Sequence, residues 1–114
     1  MSIEKRLTDL GITLPPPAPA GGVYTTVVVV DRMAYVSGQV PFGPDGKLMS
    51  GKVGADLTME QGAEVARVCA LTMLATVKAS RGNLDRVKRV VKVLGMVNCT
   101  TEFQHHPQVM NGFS

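Results

Sequence analysis

Tryptophan is missing from this sequence, and only two Tyr and three Phe occur in its 114 residues. With so few rings, the core volume must come from Val, Leu, Ala and seven Met, which fill gaps but specify shape weakly. The same scarcity removes the stacking platforms on which single-stranded nucleic acids are usually read. Only two cysteines are present, Cys69 and Cys99, and their separation matches no metal-ligand spacing. They read as reduced thiols: Cys69 falls in a helical pattern and is expected in the core, whereas Cys99 closes a strand pattern and is the more exposed. Neither has an activating base near it in sequence, so no catalytic role is expected of either. No secretory leader or membrane-spanning apolar run occurs, which predicts a cytoplasmic protein. There is also no G-x-S-x-G, H-E-x-x-H, P-loop or C-x-x-C motif, and no metal or cofactor is expected.

What is present fits one domain over residues 1–114, with an apolar content of 45% that is normal for a globular core. So small a domain leaves much of its surface outside the core, so self-association offers a route to stability. The formal charge is +3. Its basic residues crowd one stretch, where Lys78, Arg81, Arg86, Lys88, Arg89 and Lys92 face Asp85 alone. Such a cluster attracts anions, whether carboxylate, phosphate or RNA, and it also suits a solvated rim around a buried strand.

Apolar residues at Ile3, Leu7 and Leu10 predict a short helix over residues 3–10, with Ser2 as its cap and Gly11 as its stop. Residues 15–22 form a proline-rich, extended connector ending in two glycines. The domain body spans residues 23–114. It opens with a β-branched run at 23–30 and a second short run at 33–37, which together predict a hairpin. The unbroken valines at 27–30 predict a strand covered on both faces. Residues 38–54 read as a loop with one short strand inside it and a turn at Pro44-Asp45-Gly46. Thr58 and Gln61 fit a capping box that opens a long helix to about Ser80, stopped by Gly82. Residues 84–87 predict a brief helical turn, and 88–99 a strand that is apolar on both faces. A second helix opens near the C-terminus. The adjacent His105 and His106 point about 100° apart on such a helix, which suits solvent-exposed histidines at its entry better than joint metal ligands.

One polar constellation stands at the ends of the two hairpin strands: Tyr24 with Ser37-Gly38-Gln39. Polar groups there are costly unless they find partners. Read structurally, Ser37 and Gln39 satisfy the turn backbone and Gly38 lets the chain bend. Read functionally, Gly38 marks a point where a ligand approaches bare backbone.

Tyr24, the block Tyr35-Val36-Ser37-Gly38-Gln39-Val40-Pro41, then Asp45-Gly46, the long helix, and Gly82-Asn83-Leu84-Asp85-Arg86-Val87-Lys88 coincide in order and spacing with a known family. Over residues 14–114 the chain resembles the Rid/YjgF family, also called endoribonuclease L-PSP-like, and within it a divergent branch. The resemblance implies an α+β, chorismate-mutase-like fold with a mixed sheet packed against two helices. It further implies a homotrimer with ligand clefts between neighbouring subunits. Related proteins hydrolyse reactive enamine or imine intermediates to 2-keto acids and ammonia, and others are described as ribonucleases or translation inhibitors.

In the hydrolytic branch an arginine grips the substrate carboxylate and a late glutamate places the attacking water. Both are expected beyond Ser114, in two closing strands, so the sheet is expected to expose an unpaired edge. Position by position, the resemblance carries over Tyr24, Ser37, Gly38, Gln39 and Asn111 as substrate-binding positions, with the catalytic groups unassigned. The expected ligand is a small carboxylate or imine. A non-catalytic trimer that binds carboxylates or a protein partner is the alternative, and an RNA-acting protein the third.

Overall fold

The computed structural model describes residues 2–17 and 19–114; Ala18, within the proline-rich connector, lies outside the described residues. Two compact units emerge from discontinuous stretches of chain, one gathering residues up to Gln39 with 71–91, the other 40–70 with 92–114.

In the first unit, helix α1 (Ile3–Asp9) begins where the Ser2 hydroxyl accepts from the Lys5 N–H at 3.1 Å. It ends at Gly11, whose φ of 68° lets its N–H reach the Thr8 carbonyl while Ile12 reaches that of Leu7. These two crossing bonds are the helix-ending pattern that glycine permits at low cost. Strands β1 (Val27–Val30) and β2 (Met33–Val36) then pair antiparallel, with Val27 opposite Val36 and Val30 opposite Met33. Asp31 makes the intervening turn in the left-handed region at φ 54°, which an aspartate tolerates better than most residues.

Only Val27 of the valine run is buried; Val28, Val29 and Val30 are exposed. The expectation of cover on both faces is therefore not met within this chain. The unit's core is instead Val27, Thr72, Ala75, Thr76, Val77 and Leu84, the last only 1% exposed. These come from β1, from the C-terminal part of helix α2 (Met59–Arg81) and from a 3₁₀ turn at Leu84–Arg86.

Docking of α1 onto that turn is fastened in both directions. The Asp85 carboxylate accepts from the N–H groups of Ile3 (2.5 Å) and Glu4 (3.0 Å) and from the Ser2 hydroxyl (2.8 Å), so it caps α1. The Glu4 carboxylate in turn accepts from the Leu84 N–H (3.1 Å) and pairs with Lys78 (3.0 Å), so it caps the turn. Each anion sits where unsatisfied N–H groups and the helix dipole favour negative charge.

In the second unit the capping box is formed as the sequence predicts. Gln61 N–H donates to the Thr58 hydroxyl (3.1 Å), and Thr58 N–H donates to the Gln61 side-chain oxygen (2.8 Å). The Gly43–Lys47 turn closes through Gly43 N–H to Lys47 O (2.8 Å) and Gly46 N–H to Gly43 O (2.9 Å). Around it, the strand expected in the 38–54 loop is reduced to isolated bridges, Phe42 with Leu48 and Val53 with Leu57 and Cys99. Helix α3 (His106–Met110) carries Pro107 in its first turn, where a fixed φ is well suited. Val53 and Val109 form this unit's buried centre. Gly62 leaves room for the Val53 side chain and Gly112 for the Ala63 backbone: a Cβ on Gly62 falls 2.9 Å from Val53 Cγ2, and one on Gly112 collides with the Ala63 carbonyl.

The stretch at 88–99 does not form the expected strand. It contributes a single parallel bridge, Val53 with Cys99, and otherwise runs without a ladder partner among the described residues. Val90, Leu94 and Met96 are exposed, at 63%, 81% and 88%. β-propensity selects an extended backbone, but a strand also needs a neighbour to receive its N–H and C=O groups.

Candidate functional site

A cleft of about 590 Å³ opens in the first unit, within the range of about 300–1,000 Å³ usual for small-ligand sites. Its apolar walls are Pro17, Pro19, Ala20, Val27 and Ala79, and its polar groups are hydroxyls, from Tyr24, Thr25, Thr26, Thr76 and Ser80. Pro17, Pro19 and Ala20 of the connector supply part of the lining, and the Tyr24 hydroxyl accepts from the Gly21 N–H at 3.0 Å. α2 supplies the opposite wall through small residues, whose short side chains leave the space open.

Four of the five positions singled out from sequence lie in this unit, but Ser37, Gly38 and Gln39 are not among the residues lining the cleft. Tyr24 lines the cleft directly. Gln39 stands behind it: its side-chain oxygen accepts from the hydroxyl of Thr76 at 3.3 Å, and its amide nitrogen donates to the Ser37 carbonyl at 3.4 Å. Thr76 is 3% exposed, so its hydroxyl is a buried link between cleft and glutamine. Ser37 continues the hairpin by donating its N–H to the Thr26 carbonyl (2.9 Å), yet its side-chain oxygen is buried with no hydrogen-bond partner among the described residues. A buried hydroxyl without a partner is costly and requires explanation. At Gly38 the φ is not positive and a Cβ would meet open space, so neither backbone conformation nor packing in this chain requires glycine.

Asn111 belongs to the second unit, where it is the C-cap of α3 and its N–H donates to the Pro107 carbonyl at 2.9 Å. It is not among the residues lining the cleft.

Half of the basic stretch is engaged within the chain. Lys78 pairs with Glu4, Arg81 donates to the Ser80 carbonyl, and Arg86 donates to the Arg81 carbonyl. Lys88, Arg89 and Lys92 remain exposed. Among the described residues no group of three or more His, Cys, Asp or Glu is placed to hold a metal. Nor, among those residues, is any helix long and apolar enough to cross a membrane.

The structure does join two residues that sequence reasoning kept apart: Cys99 Sγ lies 3.2 Å from His106 Nε2. The signal was a seven-residue spacing across a turn that carries no helical or strand period, which sequence patterns do not resolve.

Compared with known proteins, residues 4–114 match the family described as YjgF/chorismate mutase-like, "putative endoribonuclease". The chain belongs to the YjgF family. Its curated relatives include protein TCP17 of Trypanosoma cruzi, 40% identical over 112 residues, 98% of this chain and 70% of that protein. Protein HMF1 of Saccharomyces cerevisiae is 31% identical over 87 residues, 75% of this chain and 60% of the yeast protein. Among solved structures, a "putative endoribonuclease" from Shewanella oneidensis superposes with a TM-score of 0.92 at 32% identity, over 99% of this chain and 75% of that one. Atu1372 from Agrobacterium tumefaciens, a protein of unknown function, gives 0.83 at 37% identity, over 98% and 68%. The α+β, chorismate-mutase-like fold inferred from the YjgF resemblance is therefore borne out. In this chain its sheet is represented by one antiparallel hairpin and a few isolated bridges of both senses.

Proposed function

We propose that the chain is a subunit of a cytoplasmic homotrimer that binds small imine- or enamine-type carboxylates and hydrolyses them. In that reaction water adds across the C=N bond, the C–N bond breaks, and a 2-keto acid and ammonia leave. Tyr24, Ser37, Gly38 and Gln39 are the substrate-binding positions; Asn111 lies in the other unit and is assigned no part in this cleft. The observation that carries this reading is the buried, unpartnered Ser37 hydroxyl beside Gln39 and next to the uncluttered backbone of Gly38. A ligand polar group is the natural partner for such an oxygen. Trimer formation is supported by exposed large apolar side chains in each unit, Val28, Val29 and Val30 in the first and Leu94 and Met96 in the second, since exposed apolar surface commonly marks interaction sites.

The test is ammonia release from an aminoacrylate-type intermediate generated in situ by a pyridoxal-phosphate enzyme. Acceleration over the spontaneous reaction is expected, and an unchanged rate at saturating protein overturns the hydrolytic reading.

A second reading, a non-catalytic carboxylate- or partner-binding trimer, draws on one observation. Apart from the Tyr24 phenol, the lining of the cleft holds no titratable side chain among the described residues. Saturable binding without turnover is its signature. An RNA-acting role ranks third, because half of the basic cluster is already engaged within the chain. It requires binding that weakens steeply with salt.

A further inference from the structure

Outside the cleft, and in the other unit, a nucleophile and a base are held together on a built framework. We propose that Cys99 and His106 form a thiol–imidazole dyad that adds to soft carbon electrophiles of the α,β-unsaturated carbonyl class. The sulfur and the imidazole Nε2 are 3.2 Å apart, within hydrogen-bonding distance for sulfur. When Nδ1 carries the ring proton, Nε2 is the acceptor and the thiol donates to it.

Both partners are pinned from outside the pair. The backbone around Cys99 is clamped on either side, by Val53 N–H to the Asn98 carbonyl (2.9 Å) and by Thr100 N–H to the Val53 carbonyl (3.0 Å). Thr100 also packs its hydroxyl against the backbone of Gly54, where an added Cβ would fall 2.7 Å away. On the other side, His106 opens α3, with Pro107 next to it fixing the first turn. The Phe103 ring meets the His106 ring edge to face, centroids 5.4 Å apart at 68°, which limits how the imidazole turns. His105 also meets the same phenyl group, with centroids 5.9 Å apart, and is not the residue bonded to the sulfur. Cys99 is half-buried and His106 exposed, so a small electrophile reaches the sulfur without opening the fold.

The chemistry balances within the pair and its ligand. The sulfur forms a bond to the β-carbon while the π electrons of the C=C bond move toward the carbonyl. Nε2 takes the thiol proton and returns it to the α-carbon, leaving a thioether and a neutral imidazole. Nothing is oxidised or reduced overall. This is the arrangement by which an adjacent base activates a thiol nucleophile. The second cysteine, Cys69, is half-buried in α2 and serves as an internal reference.

The experiment measures alkylation of the folded full chain by N-ethylmaleimide at limiting reagent, with each cysteine peptide quantified by mass spectrometry. In His106→Gln the Cys99 rate is expected to fall about tenfold, as loss of an activating base predicts, with the Cys69 rate unchanged. His105→Gln leaves both rates as they were. An unaltered Cys99 rate in His106→Gln overturns the proposal. Should that variant unfold, shown by a rise in the Cys69 rate, the unaltered protein decides. At pH 6.5 its Cys99 is expected to react at least about tenfold faster than glutathione run in parallel, and a smaller ratio overturns the dyad.

Discussion

Truncating Leu84 to Ala removes the most completely enclosed large side chain among the described residues, at 1% exposure. Its place is fixed by its own backbone: the N–H is held by Glu4, the carbonyl by Val87, and the preceding Asn83 caps the turn through the Asp85 N–H at 2.7 Å. The backbone therefore resists collapsing into the space vacated, and the cost includes both lost transfer energy and a residual cavity. Leu→Ala changes in such settings cost about 2–5 kcal/mol, and a value near 3 suits a small unit whose core neighbours include two threonines. At about 4 °C per kcal/mol for a chain of this size, the midpoint of thermal unfolding falls by about 12 °C. Leu84→Met, which conserves volume, costs less than about 1.5 kcal/mol. Circular dichroism melts of the three proteins, at one concentration because self-association raises apparent stability, decide the matter. A fall of under about 4 °C for the alanine variant refutes the view that Leu84 anchors α1 and its turn onto the core.

The clip between α1 and the turn carries a pH signature. Asp85 is held below its ordinary value chiefly by the Glu4 N–H and the Ser2 hydroxyl, and Glu4 chiefly by the Leu84 N–H and Lys78. Depressed carboxylates stabilise the fold above their unfolded values, about 3.8 and 4.5, and that contribution is lost as pH falls through the lower folded values. Amide exchange at Ile3, Glu4 and Lys5 should therefore quicken on acidification beyond the intrinsic trend. In Asp85→Asn, protection is weak already at neutral pH, and equal protection in both proteins counts against the clip. Thr76→Val keeps the shape of a buried residue but removes the hydroxyl that supports Gln39. Denaturant unfolding should show a loss of about 1 kcal/mol, with weaker ligand binding in the cleft; unchanged binding argues that Gln39 is not oriented through Thr76.

How far the sequence was legible depended on whether the forces involved were local. Ser2, Gly11, Thr58 with Gln61, Gly46 and Gly82 act over four or five residues, and each does in the structure what its local chemistry dictates. The hairpin register follows from adjacency and a two-residue turn. By contrast, the 88–99 stretch has strand propensity and no ladder, and the valines of β1 are apolar yet exposed. Period and propensity state what a segment prefers, not what lies beside it. The dyad of Cys99 and His106 and the tie from Thr76 to Gln39 span 7 and 37 residues with no sequence period to mark them.

That division explains why the chain superposes on a family member with a TM-score of 0.92 although little of its sheet is hydrogen-bonded. The path of the backbone is set by caps, turns and the packing of α2, which are complete within the chain, whereas a ladder exists only between partners. A lone two-stranded hairpin is marginal in water, so β1 and β2 must draw stability from beyond their own ladder, and within the unit the burial of Val27 is what supplies it. The cleft inherits that dependence. Tyr24 and Ser37 stand immediately outside the hairpin, and a hairpin that frays moves both, whereas Thr76 stays with its helix. On the proposed trimer, ligand affinity should therefore rise with protein concentration in the range where light scattering shows the mass increasing. Affinity that stays constant across that range places the support of the cleft wholly within one chain.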